Sequence, residues 1–78
     1  MVHMLKTSVV AVEDRMYAIR IFEVRTPRGQ SRYSAEIALG PNDLIILDDD
    51  SVLNLEARAL RLVPATVYSR LLARATAA

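Results

Sequence analysis

The run Asp48-Asp49-Asp50-Ser51 divides the chain into two patterns, and no fold that ignores this boundary fits the sequence. Before it stand short β-branched segments separated by turn residues. After it stand apolar residues at helical spacing, continuing to the end. The charge changes sign at the same place. Residues 1–50 carry six cations against eight anions, and residues 51–78 carry four arginines against Glu56 alone, for a total of +1. A serine or aspartate at this boundary suits a helix N-cap, because its side-chain oxygen can accept from the first unpaired amides. Asp50 or Ser51 is expected to serve.

Upstream of the boundary, Lys6–Val12 (KTSVVAV) is rich in β-branched residues and reads as a strand. Glu13-Asp14-Arg15 is a polar break short enough for a hairpin turn. Met16–Arg25 reads as a second strand with apolar residues on both faces. Tyr17, Ile19 and Ile21 share one, while Ala18, Phe22 and Val24 share the other with Arg20. Such a strand is expected in the middle of a sheet, or covered on its second face by another chain. Thr26-Pro27-Arg28-Gly29 is the strongest turn signal, since proline presets φ and glycine tolerates a positive value. Ser31–Leu39 alternates well, so Tyr17–Leu39 is expected to form an antiparallel hairpin. Gly40-Pro41-Asn42-Asp43 ends that strand. Leu44–Leu47 is read as a short fourth strand.

Downstream, Val52–Val63 places Val52, Leu55, Ala59 and Leu62 on one helical face, widened by Leu53 and Leu60. Pro64 lacks an amide donor and its ring clashes with the preceding turn. A second helix is therefore expected over Ala65–Ala75, with Tyr68, Leu71, Leu72 and Ala75 as its stripe. The whole chain reads as one small α+β domain over 1–78, strand-rich across 6–47 and helical across 51–76. Its expected form is an antiparallel sheet of three to four strands followed by two C-terminal helices broken at Pro64.

Composition narrows the function classes. Without cysteine there is no disulfide, thiolate metal site or thiol nucleophile. The single histidine, His3, falls in an N-terminus expected to be mobile, which argues against a zinc site and removes the commonest general base. Ser31, Ser34, Ser51 and Ser69 have no histidine base near them in sequence, and Glu23 and Glu36, which could approach across the hairpin, read as surface carboxylates of alternating strands. The expectation is a protein without enzymatic activity or cofactor. The three aspartates lack the alternating ligands, glycine and distal glutamate of a calcium loop, so they read as a capped, solvated turn. No apolar run approaches the ~20 residues that span a bilayer, and the N-terminus lacks an apolar signal-peptide core. A cytoplasmic protein is expected. Nine arginines to one lysine suggest a GC-rich, bacterial source.

Two surfaces remain. The hairpin tip gathers Arg25, Arg28 and Arg32 with Tyr33, a set able to contact an anion or a nucleic acid. A net charge of +1 gives no general attraction to nucleic acid, however. The second surface is the surplus of apolar residues on the helices and on the second sheet face. In so short a chain it points to a homo-oligomer, most simply a dimer, or to a small protein partner.

Overall fold

A computed structural model describes residues 2–76. Four strands, β1 (Val2–Val12), β2 (Arg15–Arg25), β3 (Ser31–Gly40) and β4 (Asp43–Asp49), pair in sequence order as an antiparallel meander. One helix, α1 (Val52–Thr76), follows and lies across one face of the sheet. The fourth strand is present, and β2 is an interior strand, one of the two placements its two-sided apolar pattern suggests.

Turn chemistry sets the register. The β2–β3 loop closes through Gly29 N–H to Thr26 O at 2.9 Å and Thr26 N–H to Gln30 O at 2.8 Å, with Gly29 at a φ of 83°. Thr26 Oγ1 also accepts from the Gln30 amide. Between β3 and β4, proline at 41 and Asn42 at a φ of 61° give the two-residue turn its reversal. Asparagine tolerates the left-handed region because its short polar side chain bonds locally. The pairing that results puts Ile19 beside Ile37 and Ile37 beside Ile45.

Period-two alternation then sorts the side chains. Tyr17, Ile19, Ile21, Ala35 and Ile37 point towards the helix and are buried, with Tyr33, Leu39, Ile45 and Leu47 packed around them. The helix answers with Leu55, Ala59, Val63 and Val67, a file spaced by four residues. Ala59 is the small member of that file and sits fully buried. Removing each large side chain from water contributes ~1.5–3 kcal/mol, which makes this inner layer the main source of stability.

Ser51 is the N-cap: its Oγ accepts from the Asn54 amide at 3.3 Å, and its carbonyl accepts from Leu55 N–H at 3.0 Å. Ion pairs fasten the helix along its length. Lys6 Nζ lies 2.7 Å from Glu56 on β1's side, Arg58 reaches Asp49 at 3.0 Å on β4's side, and Arg70 reaches Asp43 at 3.0 Å near the far end. Arg58 also donates to the Asp48 carbonyl.

Two expectations are corrected. The described residues form one helix where two were expected, and Pro64 lies within it. A proline in a helix interior costs ~3 kcal/mol through a lost hydrogen bond and a ring clash. Here Val63 and Val67, on either side of it, both bury in the same sheet, and the Asp43–Arg70 pair holds the segment beyond. Packing on one continuous surface outweighs the local penalty. The N-terminus is the second correction. β1 begins at Val2, and His3 pairs with Glu23 within the sheet. A bulge between Met4 and Lys6 shifts the register, which hides the strand from an alternation count.

Candidate interaction surface

The helix covers one face of the sheet, and among the described residues nothing covers the other. That outer face is built by the residues out of phase with the core. Cross-strand neighbours on it run Val2–Val24–Arg32, Met4–Phe22–Ser34–Asp48 and Thr7–Arg20–Glu36–Ile46. Val9 lies beside Ala18, Ala11 beside Met16, and Ala38 beside Leu44. Val2, Met4, Val9, Met16, Leu44 and Ile46 are all largely exposed, with Ile46 at 61% and Met16 at 70%. Single exposed apolar residues are ordinary, but six on β1, β2 and β4 of one face are not, with Ala38 the apolar contribution of β3 beside Arg32, Ser34 and Glu36.

Two ion pairs punctuate this face. Arg20 Nη2 lies 3.7 Å from Glu36 Oε1 at the centre, on the two interior strands. Arg32 pairs with Asp48 towards the open end of the hairpins, and the Asp48 carboxylate raises the Arg32 pKa through that hydrogen bond. Exposed pairs of this kind contribute little to folding, because water screens them. Their interest lies in how they distribute charge on an otherwise apolar plane.

The arginines of the hairpin tip do not form one cluster. Arg32 is on the outer face with Asp48, whereas Tyr33, one residue on, is half-buried on the inner face against the core. Arg25 pairs with Ser31 at the strand ends, in phase with the inner face. Arg28 sits exposed in the turn. Tyr33 is thus separated from Arg32 by the thickness of the sheet.

The three aspartates diverge likewise. Asp48 faces outward to Arg32. Asp49 faces inward, accepting from Ser51 N–H at 3.0 Å and from Arg58 at 3.0 Å. The Ser51 amide is the main cause holding the Asp49 carboxyl below its ordinary range, with Arg58 adding to it. Asp50 is exposed. Among the described residues no group of His, Cys, Asp or Glu is arranged to hold a metal ion.

At the closed end of the sheet a cavity of about 230 Å³ lies between the β1–β2 turn and the helix, lined by Val12, Tyr17 and Val67 with Arg70 and Arg74. Groups at its rim engage each other: the Tyr68 hydroxyl donates to Glu13, and Arg70 grips both Asp43 oxygens at 3.0 and 3.2 Å. Glu13 raises the Tyr68 pKa, and Arg70 lowers that of Asp43. On the helix, Leu53, Leu60 and Leu71 are exposed in single file along one flank, and Leu62 lies on the other. No helix among the described residues is long and apolar enough to cross a membrane.

Neither the family models, the curated proteins nor the solved structures contain a match to this chain.

From the sequence, Phe22 and Val24 identify part of the outer face. Its extension onto β1 and β4 was not visible there. The contiguous run Leu44–Leu47 carries the missing signal, because four apolar residues in a row must place two on each face of a strand.

Proposed function

We propose that this protein is a self-associating interaction module, without chemistry of its own, and that a second copy of the chain covers the outer sheet face. The carrying observation is the outer sheet face opposite the helix, on which Val9, Met16, Leu44 and Ile46 are exposed around the Arg20–Glu36 pair. Interior strand β2 is apolar on both faces, and among the described residues only one is covered. Strand spacings of ~4.8 Å and rises of ~3.4 Å give this plane a projected area of about 600 Å². Two copies face to face would bury about 1,200 Å², the lower end of what specific interfaces require. The hairpin arginines give less support to a nucleic-acid contact, since Arg32 and Tyr33 lie on opposite faces.

Ala18→Asp tests this reading, because Ala18 is an exposed outer-face residue of β2 and its replacement leaves the core untouched. A carboxylate trapped in such an interface costs several kcal/mol, so dimer affinity should fall by ~100-fold or more. Sedimentation equilibrium should show a dimer for the parent chain and a folded monomer for Ala18→Asp at the same concentration. A parent chain that is strictly monomeric at high micromolar concentration, or an unaffected variant, would refute the proposal.

A further inference from the structure

We infer that the two copies meet about a two-fold axis running along the strands between β2 and β3, so that Arg20 of each copy faces Glu36 of the other; this rests on the self-association proposed above. The argument is geometric. A two-fold axis that joins two like sheet faces lies in the plane between them, and the interface is then isologous. If the axis runs across the strands at the centre of the face, β2 lies over β2 of the second copy and Arg20 over Arg20. If it runs along them, β2 lies over β3, and residues that are cross-strand neighbours within one copy come to oppose each other between copies. Arg20 and Glu36 are such neighbours, on the two interior strands.

Charge selects between the two arrangements. The first stacks like charges in a water-poor interface, which costs several kcal/mol. The second builds a ring of four charges in which each arginine meets two carboxylates. Within one copy the Arg20–Glu36 contact is loose, at 3.7 Å, and both side chains are substantially exposed, so each retains donors or acceptors for a second partner. A buried ion pair must be well surrounded to offset its desolvation, and the ring supplies that where an isolated pair does not.

Shape agrees with charge. Phe22 and Ser34 are also cross-strand neighbours, so this axis places the large ring of one copy over the small serine of the other. It also lays edge strand β1 over β4, bringing exposed Val9 towards exposed Leu44. The twist of each sheet leaves the strands of the two layers ~30° apart, which least affects residues nearest the centre of the face, including Arg20 and Glu36.

The test is a double charge exchange, Arg20→Glu with Glu36→Arg, which preserves the pair within each chain. The parent and exchanged chains should each form dimers. In a mixed dimer the inferred axis sets Arg20 of the parent chain against the arginine introduced at position 36, and Glu36 of the parent chain against the glutamate introduced at position 20. Native mass spectrometry of an equimolar mixture should therefore find mixed dimers depleted ~10-fold or more relative to random pairing. Random or preferential mixing would overturn the axis while leaving self-association intact, whereas a monomeric parent chain would overturn both. A second measurement does not depend on the exchanged chain folding. The chain has no cysteine, so Val9→Cys and Leu44→Cys chains can be mixed and oxidised cleanly. Disulfides between Val9→Cys and Leu44→Cys copies should form ahead of like-with-like products. Dominant Val9→Cys homodimers would refute the arrangement.

Discussion

Replacing Pro64 with alanine should stabilise this protein by ~2 kcal/mol. Proline is less favourable than alanine inside a helix by ~3 kcal/mol, and that figure already compares helix with unfolded chain, so the stiffness of proline in the unfolded state needs no separate correction. Against it stands lost packing. Pro64 is half-buried, and removing two ring methylenes at about half burial costs ~0.8 kcal/mol. Alanine restores the amide that can donate to the Leu60 carbonyl, one turn earlier. A gain of this size in a domain of 60–100 residues corresponds to a rise in Tm of roughly 8–16 °C. Urea denaturation followed by circular dichroism measures it, at fixed protein concentration because the proposed association would add to apparent stability. Pro64 is on the helix, away from the outer face, so the dissociation constant of the proposed dimer should not change. An unchanged or lower denaturation midpoint would refute the reasoning. It would mean that the helix geometry proline favours is what lets Val63 and Val67 reach the sheet together.

Other expectations follow from particular contacts. Gly29→Ala should destabilise by ~1–2 kcal/mol, because a φ of 83° is unfavourable for any residue with a Cβ even though open space surrounds it; a neutral result in thermal denaturation would show that the turn relaxes. Asp43 and Asp49 have folded-state pKa values below the ordinary 3.8, so the stability they contribute is complete above about pH 4 and is lost as pH falls through their lowered values. Arg70→Gln removes the main cause of the Asp43 shift, and urea midpoints measured downward from pH 6 should fall less steeply for it than for the parent chain. Parallel profiles would show that Arg70 is not responsible.

Local chemistry carried much of the fold. Pro27 with Gly29, and Pro41 with Asn42, are turn formers whatever surrounds them, and Ser51 caps a helix by a bond to an amide three residues away. The alternation from Tyr17 to Leu39 made a hairpin readable because its period matches the pleat. Those signals need no knowledge of distant residues, and they placed the strands, the boundary and the start of the helix. Part of the outer face was legible for the same reason, through Phe22 and Val24 on a strand that is apolar on both sides.

Tertiary structure decided three things that local chemistry could not. It carried the helix through Pro64, because burial of Leu55, Ala59, Val63 and Val67 on one sheet outweighs a defect confined to a single turn. It drew residues 2–5 into β1 past a bulge, where pairing with β2 supplies the order that the segment alone lacks. Finally, it chose which of two apolar sheet faces the single helix would cover. Ile19, Ile21, Ile37 and Ala35 went beneath it, and the face with Arg20 and Glu36 at its centre remained open. A charged pair can sit on a surface that water or a second copy will meet, but not beneath a helix that offers Leu55 and Val63.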